Sequence, residues 1–366
     1  MDMNAKRERH RRFWQPLEKG EGGYLAVSAP IDDSGIAPCP LDPPSSLEEQ
    51  WLSVEYALKR AEADSKNRYW GLDAIHNVFP NFGPGVQAAM LGAPYALQKE
   101  SVWFDMDPPI KNWDTMPDLT TNREHELYKA VEAHTRALCA ASKGRYTVAY
   151  TDIGGQMDVL CSLRGENLLM DLIEYPDEVL AAQEKLDQEF VSYFNTLTDI
   201  IGPSGCGYTG WIPIASDHPW FPVQCDMSVM ISQNMFETFV LPSLDKVTTQ
   251  IGNSIYHLDG PGEIQHLDML LSLKHIHAIQ WVPLPTATAA DGSMYRDFTD
   301  PMSLDVYRRT LQAGRKVVLT GIMPFQVPIV FDAVGCDGVF IETYCDTRKE
   351  ADELVAFAQS NSWVKY

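Results

Sequence analysis

The sequence lacks the cysteine pattern of a disulfide-stabilised protein. Its seven cysteines, in 366 residues, are an odd number and form no Cys-x-x-Cys pair, which argues against a disulfide framework and for a reducing compartment. No apolar run reaches the roughly 18 residues that a membrane-spanning helix needs. The basic stretch near the N-terminus is followed by no apolar segment, which argues against a secretory signal. We therefore expect a cytoplasmic protein with no membrane-spanning segment.

Positive charge is also scarce. The chain has 29 Lys and Arg residues against 50 Asp and Glu residues, a formal net charge of −21. Such a surface repels nucleic acid and anionic lipid, so neither is expected as a partner. The exception is a basic cluster near the N-terminus, which we expect to form the solvated surface of a first helix. Its members are Lys6, Arg7, Arg9, Arg11 and Arg12.

Phosphate-binding glycine loops are missing as well. No predicted strand-to-helix turn carries a Gly-x-Gly-x-x-Gly or Walker sequence. The glycine-rich segment 202–207 leads into a predicted strand rather than a helix, which makes it a poor phosphate cradle. These absences argue against an open, doubly wound nucleotide-binding sheet, the structural alternative to a barrel.

Short apolar segments alternate with helical patterns along most of the chain. Eight strands are predicted, at 23–28, 73–79, 146–152, 205–211, 254–259, 277–282, 316–321 and 338–344. Helical patterns separate most of them, including 167–198, 232–251 and 348–359. This alternation predicts an α/β protein with a single (β/α)8 TIM barrel. The barrel would form one domain over residues 1–366, with 1–70 as an N-terminal extension and first strand and 71–366 as the rest.

Two long insertions interrupt the alternation, within 30–70 and 100–125. Long loops in a compact domain are usually lids or binding elements. We expect both insertions to lie over or beside the barrel mouth, where they would carry Trp51, Trp103 and Trp113.

The strand that contains His257 and Asp259 is the strongest candidate for a site. Because the two residues are two apart, their side chains leave the same face of the strand. The Gly-Pro-Gly turn at 260–262 follows directly, so both residues lie at the C-terminal mouth, where barrel enzymes have their active sites. Such a pair can bind a metal, form an acid–base dyad, or simply tie a loop through a His–Asp hydrogen bond. The residues alone leave these alternatives open.

A second candidate, Cys345, follows the last predicted strand. A helix is predicted to begin with Asp346 or Thr347 as its cap, which places the thiol at a helix N-terminus. That position lowers the pKa of a thiol and favours the thiolate that metals bind. The alternative is a small apolar residue that fills a gap in the core.

Other side chains at predicted strand ends complete the list of candidates. Three polar residues are candidates for catalysis or for orienting substrate: Asp152, Gln280 and Glu342. Three aromatic residues are either the lining of a ligand pocket or anchors for loops: Trp211, Trp281 and Tyr344. We expect Asp152 and Gln280 to be catalytic, and Glu342 to bind substrate with the three aromatic residues.

Three segments, taken in order, resemble the uroporphyrinogen decarboxylase superfamily. They are IGGQMDVLCSLRGENLLMDLIEYPDEVLAAQEKL at 153–186, QCDMSVMISQNMFETFVLPSLDKV at 224–247 and SIYHLDGPG at 254–262. Their order is similar to that in methylcobalamin:coenzyme M methyltransferases and their relatives, the corrinoid methyltransferase branch. The resemblance extends from about residue 140 to the C-terminus and more weakly through 70–100. It implies the same barrel fold.

The resemblance also implies a zinc site. These methyltransferases hold zinc with a His-x-Cys pair after the fifth strand and a Cys after the last. Here His257 matches the His, Asp259 stands in place of the first Cys, and Cys345 lies where the last is expected. A carboxylate can also bind zinc, so the implied ligands are His257, Asp259 and Cys345, with Glu342 as a further group.

The activity implied is the transfer of a methyl group between a corrinoid, such as methylcobalamin, and a thiol or oxygen nucleophile of a small molecule. The chain has no Asp-x-His-x-x-Gly corrinoid-binding sequence, so a separate protein would carry the corrinoid. Porphyrinogen decarboxylation is rejected, because 23–35 contains no arginine to bind the tetrapyrrole carboxylates. Two alternatives stay open: a lyase or hydrolase that uses the His257–Asp259 pair or a metal, and a barrel that only binds a ligand.

Overall fold

The computed structural model describes residues 3–31, 38–104, 107–288 and 292–365. Its strands are β1 (Tyr24–Pro30), β2 (Arg68–Leu72), β3 (Asn77–Val78), β4 (Ala96–Leu97), β5 (Val102–Trp103), β6 (Thr147–Val148), β7 (Trp220–Val223), β8 (Asn253–Asp259), β9 (Ile276–Val282), β10 (Ala287–Thr288), β11 (Met294–Tyr295), β12 (Lys316–Ile322) and β13 (Val339–Tyr344).

Helices surround these strands. They are α1 (Met3–Phe13), α2 (Leu47–Leu52), α3 (Val54–Asn67), α4 (Gln87–Met90), α5 (Glu126–Ser142), α6 (Gln156–Arg164), α7 (Asn167–Glu174), α8 (Pro176–Ile201), α9 (Gln233–Met235), α10 (Leu241–Ile251), α11 (Leu267–Ser272), α12 (Pro301–Gln312), α13 (Gln326–Val334) and α14 (Arg348–Ser360). A π-helical turn, Phe236–Val240, joins α9 to α10. Shorter 3₁₀ turns include Asp226–Met230 and Pro261–His266.

The main sheet has seven strands in the order β2-β1-β13-β12-β9-β8-β7. All neighbours are parallel except β2, which pairs antiparallel with β1. A separate short parallel pair joins β3 to β6. The protein is therefore a mixed α/β structure built on a parallel sheet, in which the carboxyl ends of six strands meet at one edge.

The predicted closed barrel of eight parallel strands is not confirmed. Five predicted strands correspond to β1, β8, β9, β12 and β13, and two more, at 73–79 and 146–152, contain the two-residue strands β3 and β6. In the described part of the chain, the segment predicted as a strand at 205–211 forms only isolated bridges at Tyr208 and Thr209. Three glycines interrupt that segment, and glycine weakens a strand because it has no side chain to pack. No strand pairing among the described residues joins β2 to β7.

The two faces of the sheet bury different side chains. One face holds a small cluster that includes Tyr24, Ile255, Ala278, Val318 and Phe340. The opposite face packs against the helices and forms the large core. Because side chains alternate along a strand, His257 lies on the same face as Ile255, with the small cluster beneath it.

Helix α1 lies across the amino ends of the strands, and its basic residues are not all solvated as predicted. Arg9 is buried and forms an ion pair with the buried carboxylate of Asp73, with Nη2 2.9 Å from Oδ2. Lys6 is also buried and donates to the carbonyl oxygens of Trp70 and Ala74 at 2.8 and 2.7 Å. The prediction was wrong for these two residues because the amino ends of the strands leave carbonyl and carboxylate oxygens that need donors.

The insertions adjoin the carboxyl edge of the sheet. Residues 32–37 and 105–106, within the predicted insertions, lie outside the described residues. The Nε1 of Trp51 donates to the carbonyl of Gln98 at 2.7 Å, which ties α2 to the segment 96–104. In the described part of the chain, no helix combines the length and apolarity needed to cross a bilayer.

Candidate metal centre and adjoining cavities

Three side chains converge at the carboxyl edge of the sheet: Asp226, His257 and Asp259. Each offers one ligand atom, and the three atoms all lie within 4.8 Å of one another. His257 and Asp259 belong to β8, and Asp226 begins the 3₁₀ turn that follows β7. Because β7 and β8 are neighbouring parallel strands, their carboxyl ends bring the three residues together. One imidazole and two carboxylates are a donor set that suits a divalent cation.

Neighbouring strands fix the orientation of His257. The Nδ1 atom lies 2.8 Å from Oε1 of Gln280, which is its register partner on β9. The Nε2 of Gln280 in turn donates to Oγ1 of Thr320 on β12 at 2.7 Å. With its amide held in this way, Gln280 accepts a hydrogen bond from Nδ1–H, and Nε2 of His257 carries the lone pair that a metal needs.

A buried carboxylate shapes the turn that carries Asp226. The two oxygens of Asp158, on α6, accept hydrogen bonds from the backbone N–H groups of Asp226 and Met227 at 3.0 and 2.9 Å. Burial and the negative charge of Asp226 raise the pKa of Asp158. Asp226 is exposed at the cavity edge. Nearby protein still desolvates its carboxyl in part, and this desolvation raises its pKa. His257 lowers the pKa of Asp226, and the charge of Asp259 raises it.

Two further buried carboxyl groups lie near this centre. Burial, followed by the charge of Asp226, raises the pKa of Asp152 to about 7. Burial and the same charge raise the pKa of Glu263 to about 10. Among the described residues, neither Oδ1 of Asp152 nor Oε1 of Glu263 has a hydrogen-bond partner. The site thus concentrates acidic groups whose repulsion a cation would relieve.

Cys345 does not join these three side chains, so the structure does not bring together the predicted ligand set of His257, Asp259 and Cys345. In the described part of the chain, the group of potential ligands within mutual reach contains Asp226 instead. Cys345 follows β13, which β9 and β12 separate from β8, and its side chain packs in the helix-facing core. Burial, with the charges of Glu350 and Asp346, raises the thiol pKa to about 12, opposite to the lowering that was predicted.

The aromatic candidates divide between the core and the site. Trp281 is fully buried in the helix-facing core and donates from Nε1 to Oγ of Ser303 at 2.8 Å. The structure therefore does not bring Trp281 together with the other predicted substrate-binding residues, which line the smaller cavity. Trp211, in contrast, packs edge-on against His257, with 6.1 Å between ring centroids.

A cavity of about 750 Å³ adjoins Asp226. It is lined by Trp103 and Phe104 of the second insertion, by Arg164 and by Gln224, Asp226 and Met230. Trp103 thus lies beside the site, as expected for a lid element. The ring of Trp113 instead lies under the guanidinium of Arg164, 5.4 Å from its carbon to the ring centroid.

A second cavity, of about 620 Å³, is lined in part by Trp211. Glu342 and Tyr344 of β13 line it, and the Tyr344 hydroxyl donates to Oε1 of Glu342 at 2.8 Å. Burial raises the pKa of Glu342 to about 7. The structure therefore groups three predicted substrate-binding residues, Trp211, Glu342 and Tyr344, around one cavity.

Asp226 is the functional candidate that sequence reasoning missed. The prediction placed a strand at 205–211 and examined the residues after it. The strand of the main sheet is β7, which is only four residues long and contains a proline. An acidic residue that follows a short aromatic run, as in WFPVQCD at 220–226, was the available signal.

Comparisons with known proteins identify a fold and no closer relationship. No protein-family profile matches the sequence, and no curated protein sequence is significantly similar to it. A solved structure of a methyltransferase from Methanosarcina mazei is similar, with a TM-score of 0.57 and 11% sequence identity. The likeness covers 92% of this chain and 96% of that chain. At this identity it shows a shared fold.

Proposed function

We propose that this chain, which shares the fold of a methyltransferase, is a cytoplasmic, metal-dependent methyltransferase. It would move a methyl group between a corrinoid, such as methylcobalamin, and a small-molecule thiol or oxygen nucleophile. The observation that carries the proposal is the convergence of Asp226, His257 and Asp259 within 4.8 Å. The likeness to the methyltransferase of Methanosarcina mazei over nearly the whole chain supports methyl transfer as the reaction.

The residues present fit a divalent cation. Zinc accepts imidazole nitrogen and carboxylate oxygen, and catalytic zinc sites keep three protein ligands and one open position. We propose zinc held by Asp226, His257 and Asp259, with Asp226 replacing Cys345 in the set expected from sequence. When bound, such a cation lowers the pKa of a thiol or hydroxyl and so makes a nucleophile at neutral pH.

The surrounding residues have separate roles in this proposal. Gln280 orients His257 and, by its contact with Nδ1, leaves Nε2 as the nitrogen that would bind the metal. Asp158 fixes the backbone that presents Asp226. Asp152, buried and with a pKa near 7, would take up the proton that the nucleophile loses. Trp211, Glu342 and Tyr344 line the smaller cavity and would bind the small substrate.

A separate protein would supply the corrinoid. This chain has no Asp-x-His-x-x-Gly sequence, and the larger cavity beside Asp226 gives a donor a way to the centre. Exposed apolar side chains follow three strands at the same edge of the sheet and would contact the partner: Val229, Met230, Leu284, Met323 and Phe325.

The proposal includes the closed barrel and the single domain predicted from sequence. The pair β3–β6 and the parallel bridge between Ala149 and Thr209 would fill the gap between β1 and β7. Two hydrogen bonds support this: the N–H of Asp73 donates to the carbonyl of Leu25 at 3.1 Å, and that of Tyr150 to Thr209 at 2.9 Å.

Elemental analysis and a demethylation assay test the proposal. We expect about one zinc per chain in purified protein, and zinc-dependent loss of the methylcobalamin absorbance when a thiol is added. His257→Ala should lose both the metal and the activity. Absence of any bound transition metal, or activity that survives exhaustive chelation, would reject the proposal.

The oxygen-rich ligand set favours one second candidate. Two carboxylates and one imidazole also suit Mg²⁺ or Mn²⁺ in a lyase, decarboxylase or hydrolase that acts on a small molecule. A preference for Mn²⁺ over zinc, together with no demethylation of methylcobalamin, would favour this alternative.

A further inference from the structure

The smaller cavity, which Trp211 lines, has as many arginines as acidic residues in its wall, unlike the protein as a whole. Two arginines line it, Arg60 from α3 and Arg68 from β2, together with two acids, Asp64 and Glu342. The protein as a whole has 50 acidic and 29 basic residues. Carboxylates are therefore abundant as partners for arginine in this protein. An arginine that lines a cavity without a close carboxylate is a candidate for binding an anionic ligand.

Neither arginine has a close carboxylate among the described residues. Arg60 is half-buried and forms no ion pair in the part of the chain that the structure describes. Arg68 is exposed, its Nε lies 3.9 Å from a carboxylate oxygen of Asp64, at the limit of an ion pair, and its guanidinium carbon lies 6.0 Å from the centroid of the Tyr344 ring. Glu342 accepts a hydrogen bond from the Tyr344 hydroxyl. Because burial raises the pKa of Glu342 to about 7, this acid is only partly ionised at neutral pH.

The cavity wall also contains two polar atoms without partners. His76 is 6% exposed, and its Nδ1 has no hydrogen bond among the described residues. The same holds for Nε1 of Trp70, whose ring stacks on His76 with 5.0 Å between centroids. Both residues line the cavity with the arginines. Buried polar atoms are rarely left unpaired; these two are covered by surrounding groups, so a rotation of the side chain would bring each of them to a bound molecule.

We propose that this cavity binds the carboxylate of a small anionic molecule, with Arg60 and Arg68 as the cationic ligands. Guanidinium groups form paired hydrogen bonds with carboxylates. Trp70 and His76 would give further hydrogen bonds to the same molecule. Trp211 lines this cavity and also contacts His257, so the other end of the molecule would point toward the candidate metal centre.

The inference that this molecule is the methyl acceptor rests on the proposed function, whereas carboxylate binding does not. The substrate class is then a small carboxylate with a thiol or hydroxyl at its far end. A carboxylate without a nucleophile tests the cavity independently of metal and methyl transfer.

The test is an NMR titration of metal-free protein with three probes of equal length: propionate, 1-propanol and propylamine. We expect propionate to bind and the neutral and cationic probes to bind much more weakly. Arg60→Met should weaken propionate binding by roughly tenfold or more, the usual effect of losing a charge-assisted hydrogen bond. Arg60→Lys should restore part of the affinity.

A matched variant serves as the control. Arg308→Met removes the same charge from an exposed position on α12 and should leave propionate binding unchanged. Thermal unfolding midpoints of all variants show whether a loss of binding reflects a loss of folding.

The outcomes separate the two proposals. Propionate binding in a protein that binds no metal would reject the proposed function and retain the carboxylate site. Equal binding of propionate and 1-propanol would overturn the carboxylate site, as would propionate binding that survives both Arg60→Met and Arg68→Met.

Discussion

The Oε1 atom of Gln280 lies 2.8 Å from Nδ1 of His257, across the β8–β9 pair. The two residues are register partners in a parallel sheet, so the contact is set by the backbone. Thr320 holds the other end of the amide. A chain of three side chains on three neighbouring strands therefore determines which nitrogen of His257 faces Asp226 and Asp259.

Gln280→Ala should weaken metal binding while leaving the fold intact. Outer partners of a ligating histidine typically contribute about 10- to 100-fold to metal affinity, and we expect a loss in that range. Isothermal titration with zinc measures it. Thr320→Val, which removes only the second contact, should have a smaller effect; an affinity unchanged in both variants would contradict the role given to Gln280.

Asp226→Asn should reduce zinc affinity by more than about 100-fold, because it removes a direct ligand rather than an outer partner. The matched control is Asp245→Asn, which removes one negative charge from an exposed position on α10. Equal affinities of the two variants would show that Asp226 acts only through the net charge of the protein.

Arg9→Met should destabilise the protein by about 3 kcal/mol, because it leaves the buried carboxylate of Asp73 without its cation. Arg11→Met breaks a surface ion pair with Asp217 and should cost less than about 1 kcal/mol. Urea unfolding compares the two. The double variant Arg9→Met/Asp73→Leu should recover part of the loss, and its failure to do so would indicate that Asp73 is needed for more than charge balance.

Stability should fall as the pH drops below about 6.5. Burial, with the nearby Lys316, lowers the pKa of His277 to about 4, against about 6.5 in an unfolded chain. The unfolded state therefore binds a proton first, and the contribution of neutral His277 is lost progressively between pH 6.5 and 4. His277→Gln should make this decline shallower in urea unfolding, whereas His218→Gln, at an exposed position, should not.

Asp152→Asn should stabilise the metal-free protein above pH 7. The folded pKa of about 7 exceeds the ordinary value, so this carboxyl favours folding below about pH 4 and loses that contribution as the pH rises through 7. We expect a gain on the order of 1 kcal/mol at pH 8 and little at pH 4. Asp199→Asn, on an exposed face of α8, is the control, and the same gain there would refute the explanation.

The part of the site on β8 could be predicted because it is local. A spacing of two residues and a following Gly-Pro-Gly turn put His257 and Asp259 on one face at a strand end, and both patterns lie within nine residues. Their roles as catalytic or metal-binding residues stay predictions. Trp211, Glu342 and Tyr344 were grouped by the same reasoning about strand ends.

The remaining residues depend on contacts between distant segments. Asp226 follows 220–223, which pairs with β8, whereas the sequence pattern favoured 205–211 as the strand at this place. Cys345 was assigned a lowered pKa from its place before a helix, but packing against the core has the opposite and larger effect. The local sequence predicts that Arg9 is solvated. Its burial depends on Asp73, which is 64 positions away in the sequence and lies beside it in the structure.

The N- and C-terminal segments meet beneath the sheet. Gly23 bridges to Val364, and Arg9 on α1 donates to the carbonyl of Lys365. The candidate ligands Asp226, His257 and Asp259 lie at the opposite edge of the sheet. A surface linker attached near Met3 or Lys365 would therefore leave that edge facing outward, an orientation that suits assays of the immobilised protein with large protein partners.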